Sequence, residues 1–470
     1  MIVLTKFMIK KCWDRCRMLS KKVISRRVVI CVGILGVIFL MGAFSSLYQV
    51  GTASWVHAVL YKGKVLFGMT KIEGVEGGIE ISSSRYDFVT VTKGSKTGVY
   101  QVATTDGKNV LAVERNTGFL VMLSPEKDGY IEKVLSESIF PKHISGEVLV
   151  NAAKGMANSN PPIIMDLHFG LNKLMYSLVE QKTDATTSQK CQALVLYEVP
   201  FVLPAQVMGD VIERFRTPCS ADTTNAVMWA GRIVTNKKNI FLSVGEQRYD
   251  RSGFPKAGLF KESDMSVHKT VFGKILAFEP IKFTYTIYST GHRNAQGLFW
   301  DNERSQLLSS EHGPNGGDEI NVIVQGKHYG WPTVSYGKPY SERYPTGIKE
   351  IHGAKNPQTG VDLIPERKGY FSGTHNGFTA PLLSWIPGVG VGNVFRVSAE
   401  SPLKDWQGDI LAATMGEGSL HRLRLVNGAV VLDEDIKINQ RIRDFIVLSN
   451  GHIVVGLDVG SLLVLKVAEL

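Results

Sequence analysis

Residues 55–470 form a succession of short apolar runs broken by turns. The clearest runs lie at 118–123, 174–179, 193–197, 239–244, 273–278, 298–300 and 319–324. More follow at 394–397, 409–413, 420–425, 445–448, 453–457 and 462–465. They are rich in Val, Ile and Leu, and each has the length of a strand. No long segment carries the helical period of 3.6 residues. Asn427-Gly428 and Asn450-Gly451 sit between such runs. Asn-Gly supplies the two residues of positive φ that a tight hairpin turn requires. The last 65 or so residues therefore read as consecutive hairpins, and the whole as an all-β sandwich array, barrel or propeller. Residues 51–158 are the least regular stretch and read as an opening strand set with an irregular connector. No WD or kelch repeat is present to choose among the architectures.

The apolar pattern differs in one place. Residues 28–48 read VVICVGILGVIFLMGAFSSLY, without a single charge. That is the length that crosses a hydrocarbon core, and it has no polar face. Residues 1–27 hold nine basic side chains against Asp14, which is +8 of the chain's net +10. The basic excess is thus a tail, and the remainder is nearly neutral. No groove or stripe of charge is available to follow nucleic-acid phosphates. Basic residues on the N-terminal flank predict a cytoplasmic tail (1–27), a transmembrane anchor (28–48) and an exported domain (55–470) in the periplasm or outside the cell. The other reading is a cleaved signal peptide ending near Ala43-Phe44-Ser45. Of the five cysteines, only Cys191 and Cys219 fall in the exported part. Two thiols in an oxidising compartment either pair or remain as separate buried groups.

Polar residues concentrate in Gly291–Gly297 (GHRNAQG), in 311–321 (EHGPNGGDEIN) and at Tyr329-Gly330-Trp331-Pro332. Arg293 offers a forked cation suited to carboxylates or quinone oxygens, and Asn294 and Gln296 add amides. The glycines allow backbone groups close to a ligand. Backbone carbonyls near Asp318 and Glu319 are hard oxygen ligands of the calcium kind. The same residues would also serve as a well-bonded loop between strands.

The order and spacing of these residues resemble the family of soluble glucose, aldose sugar and sorbosone dehydrogenases, which also includes the propeller of Hedgehog-interacting protein. Further landmarks agree in order: Ala230-Gly231-Arg232-Ile233-Val234, Ser243 to Gln247, Gly273-Lys274-Ile275-Leu276, Trp406-Gln407-Gly408-Asp409 and Arg441-Ile442-Arg443-Asp444. The resemblance runs from about residue 165 to 470. It implies a six-bladed β-propeller, preceded here by the N-terminal transmembrane helix, with a ligand at one end of the central channel. By position, Arg293, Asn294, His312, Arg441 and Arg443 would hold pyrroloquinoline quinone (PQQ), an anionic tricarboxylate. The main-chain carbonyls of Gly313 and Pro314 would hold a calcium ion that polarises the quinone. Glu319 and Tyr329 match positions that serve a second, structural calcium. The implied substrate is a sugar or glycan, with electrons leaving to a membrane quinone or a cytochrome.

The chain also departs from the family. A histidine four residues before the arginine of the Gly-Gly-Arg-Leu segment removes the sugar hydroxyl proton in the family. Met228 stands there, and methionine cannot act as a base. The lysine that some members place near the cofactor falls at about Gly416. Two functions therefore follow: a membrane-anchored quinone-dependent sugar dehydrogenase with impaired catalysis, or a non-catalytic propeller that binds a glycan or a partner protein.

Overall fold

The computed structural model describes residues 86–93, 99–126, 129–144, 162–183, 190–202, 206–220, 228–247, 270–338, 350–352, 375, 377–458 and 461–467. The predicted tail and anchor lie outside them. No described helix is long and apolar enough to cross a membrane.

The opening strand, β1 (Tyr86–Lys93), belongs to the last sheet. The first full sheet is β2 (Tyr100–Thr104), β3 (Val110–Glu114), β4 (Leu120–Glu126) and β5 (Gly129–Ser136). The second holds β6 (Ile163–Gly170), β7 (Lys173–Thr183), β8 (Lys190–Val199) and β11 (Ile212–Arg216). A two-stranded ribbon, β9 (Phe201–Val202) and β10 (Gln206–Val207), lies between the last two in sequence. The third is β12 (Ala230–Thr235), β13 (Ile240–Val244), β14 (Lys274–Phe278) and β15 (Tyr285–Thr290). The fourth is β16 (Ala295–Asp301), β17 (Gln306–Glu311), β18 (Asp318–Ile323) and β20 (Leu383–Ile386), edged by β19 (Glu350–His352). The fifth is β21 (Val391–Arg396), β22 (Ile410–Thr414), β23 (Ser419–Val426) and β24 (Ala429–Lys437). The sixth is β25 (Ile442–Val447), β26 (Ile453–Leu457), β27 (Ser461–Val467) and β1, which pairs antiparallel with β27. The first strands of the six sheets, β2, β6, β12, β16, β21 and β25, pack side by side and close on themselves. This is a six-bladed propeller, all-β as the strand pattern predicts.

Stacking of blades explains why the strands read as apolar runs rather than alternating ones. A strand covered on both faces needs apolar residues at every position. In β13, Ile240, Leu242 and Val244 pack into the core shared with the second blade. Phe241 points the other way, among Leu298, Leu307 and Ile323 of the fourth. Asn427 (φ 51°) and Gly428 (φ 79°) form the predicted left-handed pair between β23 and β24. Asn450-Gly451 differs. Only Gly451 is left-handed (φ 80°), and the Asn450 amide oxygen instead accepts from the His452 N–H at 3.0 Å. Cys191 on β8 is joined to Cys219 beyond β11, with Cα atoms 5.6 Å apart. A bridge across 28 positions contributes on the order of 3 kcal/mol in the chain-entropy account.

Candidate active site at one end of the channel

Successive strands of a blade alternate direction. The lead-in to each innermost strand and the link between second and third strands therefore emerge on one face. That face collects Met228 before β12, 291–294 before β16, 312–317 after β17, Arg441 and Arg443 at the start of β25, and Asp458 after β26. Residues scattered over more than 200 positions of sequence converge in this way.

The centre of the channel is a polar knot around Arg232 on β12. Its Nη1 reaches Asp166 on β6 (2.7 Å), Asp444 on β25 (2.9 Å) and Gln101 on β2 (3.2 Å). Its Nε donates to the Gln296 carbonyl on β16 at 2.6 Å and its Nη2 to the Arg443 carbonyl at 3.0 Å. Asn393 on β21 adds a bond to Asp444 at 2.9 Å. All six blades contribute. Buried charges are stable only when paired and hydrogen-bonded in this manner.

The predicted carboxylate-binding residues divide into two arms. On one, Arg443 grips Asp458 through Nε (2.9 Å) and Nη2 (2.8 Å), and Arg441 donates to the same carboxylate at 2.9 Å. Burial raises the Asp458 carboxyl, but Arg443, Arg441 and Arg115 outweigh it and hold its pKa below the ordinary value. On the other, the buried Arg293 donates from Nη1 to the carbonyls of His312 (3.0 Å) and Gly313 (2.8 Å). Its guanidinium lies over the Trp331 ring at 5.3 Å. Asn294 is turned into the fold, where its amide oxygen accepts from the Ala230 N–H at 3.0 Å.

The loop 312–317 is very tight. A Cβ on Gly313 would lie 2.2 Å from the Gly316 carbonyl oxygen, so only glycine fits. Asp318 secures the loop by accepting from the N–H of Gly313 (2.9 Å) and of Gly390 (2.6 Å). His312 lies in a densely walled recess. Its Nε2 is shielded from solvent and has no hydrogen-bond partner among the described residues. Burial, then Arg293 and Arg443, lower its pKa against the pull of Asp318 and Glu311, which keeps the imidazole neutral at pH 7. His292 is otherwise engaged, between Ser289 (2.8 Å) and Glu311 (3.0 Å).

Beside the loop lies a small recess lined in part by Glu311, Gly313, Glu319, Tyr329 and His375. Burial, then the charge of Glu311, raises the Glu319 pKa well above the ordinary range. Its carboxylate lies 3.5 Å from His375 Nε2 and 3.3 Å from the Asn321 amide. The Tyr329 hydroxyl is engaged with Val322 and Val324, so only its carbonyl remains for a cation. These groups fit a hard cation, since a buried carboxylate beside other acids lacks a counter-charge. At Gly313 the fit is poorer, because the carbonyl already accepts from a guanidinium.

Met228 stands at the mouth, ahead of β12. Its carbonyl accepts from Gln247 Nε2 at 2.8 Å. Sequence reasoning missed Asp458, Asp166 and Arg115 as parts of this face. Only distance in the chain separates them from the arginines, and no local motif marks them.

The sequence model of the glucose/sorbosone dehydrogenase family matches residues 111–464. An uncharacterised protein of Synechocystis is 33% identical over 174 residues, 37% of this chain and 36% of that one. Quinoprotein glucose dehydrogenase B of Acinetobacter calcoaceticus is 29% identical over 198 residues, 36% of this chain and 41% of that one. An aldose sugar dehydrogenase of Escherichia coli is 34% identical over 188 residues, 39% of this chain and 43% of that one. The matched part thus spans about two fifths of these relatives. In three dimensions the chain is similar to the apo crystal structure of the soluble aldose sugar dehydrogenase of E. coli. The TM-score is 0.59 at 20% identity, over 81% of this chain and 99% of that one. That likeness is one of fold, and with the sequence match over most of the propeller it places the chain in the glucose/sorbosone dehydrogenase family.

Proposed function

We propose that this chain is a sugar oxidoreductase that takes up PQQ at the channel mouth, with catalysis weakened by Met228. One observation carries the reading: Arg293, Arg441, Arg443 and a His312 Nε2 without a partner among the described residues meet on one face. Three guanidiniums suit three carboxylates of a flat anionic ligand. Arg441 and Arg443 would bind carboxylates while Asp458 keeps both side chains in place. His312 would meet the ligand with a neutral ring. Gly313 and Pro314 would offer carbonyls to calcium, and Glu319 with the Tyr329 carbonyl would hold a second ion. When bound, the quinone supplies the two-electron acceptor. The chain's own part is to bind, orient and exclude water, and at Met228 it offers no group to take the hydroxyl proton. Residues 28–48 would anchor the propeller to a membrane facing outwards, within reach of a membrane quinone or a cytochrome. Met228 also favours a second reading, a propeller that binds a glycan or partner protein without turnover.

The test is a spectroscopic titration of the purified full chain with PQQ, with and without calcium. The native chain should bind, and Arg443→Ala should weaken binding ~10-fold or more, since it leaves a ligand carboxylate unpaired. No uptake of quinone by the native chain would transfer the case to the binding-module reading.

A further inference from the structure

Arg115 lies on the link between β3 and β4, on the same face as the channel mouth, and only 3% of its surface is exposed. Its Nε donates to the Ile164 carbonyl at 2.7 Å, and its Nη2 lies 3.4 Å from Met165 Sδ. Its Nη1 has no partner among the described residues, and none of them pairs with it as a counter-ion.

Among the described residues, the carboxylates around it are engaged elsewhere. Glu114, next in sequence, accepts from its own loop, at the N–H of Thr117 (2.7 Å) and of Asn116 (3.2 Å). Asp458 is taken by Arg441 and Arg443. Asp166 and Asp444 are taken by Arg232. This guanidinium has no paired carboxylate among the described residues, and it also feels its own kind. Burial and the charges of Arg443 and Arg232 depress its pKa, against Asp458 and Glu114. An anionic ligand would relieve both costs.

The position says which ligand. Arg115 touches Met165, whose Cβ lies 2.6 Å from where a Cβ of Gly231 would stand. Gly231 is three residues beyond Met228. Through Met165, Arg115 thus neighbours β12, the strand that follows the vacant base position, near which the sugar would lie on the proposed reading. The three cofactor carboxylates already have Arg293, Arg441 and Arg443.

We infer that Arg115 binds a carboxylate on the sugar itself, so that the preferred ligand is a uronic acid rather than a neutral aldose. A uronic acid keeps its anomeric hydroxyl at one end and carries the carboxylate at the other. This assignment of the sugar rests on the quinone-site reading for its place, but the arginine's need for an anion does not.

The experiment is calorimetric titration of the full chain with glucuronate and with glucose, first without quinone and then after loading it. Glucuronate should bind ~10-fold or more tightly than glucose. The margin should shrink as salt is added. Arg115→Gln should remove the preference, and Arg115→Lys should keep part of it. Equal binding of the two sugars by the native chain, or a preference that survives in Arg115→Gln, overturns the inference. Loss of glucuronate binding on loading quinone also overturns it, because Arg115 would then serve the cofactor. If the glutamine variant does not fold, the native comparison and the lysine variant decide. An Arg115-dependent preference in a chain that takes up no quinone upholds this site and rejects the quinone reading.

Discussion

On the proposed reading, Met228 stands where a base would take the sugar hydroxyl proton, and its backbone is held firmly in place. The main chain there is fixed by Gln247, and a Cβ on Gly245 would lie 1.8 Å from the Met228 carbonyl oxygen. The neighbouring Trp229 is fully buried, packs edge-on against Phe272 and donates to Gln192 at 3.3 Å. Its ring is therefore turned into the core and does not fill the mouth. A base contributes ~10²–10⁴ in rate. In chain loaded with quinone, Met228→His should raise kcat for sugar oxidation above a weak native value, with a rise in rate as the new imidazole deprotonates. Steady-state rates across pH 5–8 would check this. Strong native turnover unchanged in Met228→Ala would show that another group takes the proton. At this scale the sequence was legible where chemistry is contiguous, as in 291–297 and 311–321. It was not legible where a charge finds its partner far along the chain, as Arg232 finds Asp166 and Asp444.

The strands most legible in sequence were those buried on both faces, such as β13, β22 and β26, because their apolar runs are unbroken. Outer strands gave no clear apolar run, although Asn427-Gly428 marked the turn into β24. Strand β11 (IERFR) is half-exposed, and β24 (AVVLDEDIK) mixes apolar and acidic positions. The β23–β24 hairpin shows what such a strand contributes. His421 on β23 bonds Asp433 through Nδ1 (2.6 Å) and Glu417 through Nε2 (3.2 Å). Asp435 and Lys437 stand nearby on β24, and Trp385 of β20 packs on the ring. Burial alone would lower the His421 pKa, but Asp433 and Glu417 outweigh it and raise it to about 9 from 6.5. A raised pKa means the folded chain holds this proton more tightly than the unfolded one. The stabilisation is therefore complete below pH 6.5 and disappears as pH rises through about 9. Melting temperature measured from pH 6 to 10 should fall across that window in the native chain. His421→Gln should remove this part of the fall, and an identical profile in the variant would contradict the assignment.

Six blades share one closure, made twice. At the rim, β1 from the start of the described chain completes the last blade beside β27. At the axis, Arg232 ties the innermost strands. The fold class could be read from many short strands, but the count of six came from family resemblance, because pattern alone does not say how a ring closes. The axial tie has a measurable consequence. Removing one partner of a buried ion pair leaves the other charges uncompensated, which costs ~3–5 kcal/mol. Arg232→Met should therefore lower unfolding stability by about that amount, because Asp166 and Asp444 would remain buried without a cation. The triple variant with Asp166→Asn and Asp444→Asn should recover part of the loss, since no orphaned carboxylate remains. Urea unfolding of the three proteins would measure both effects. Arg232 also donates to the backbone of Gln296 and Arg443, on the two strands that carry the arginine arms. Its loss should thus loosen quinone binding in Arg232→Met even at temperatures where the variant is fully folded. A stability loss without any change in affinity would make Arg232 a structural tie alone, and an unchanged stability would show that water replaces it at the axis.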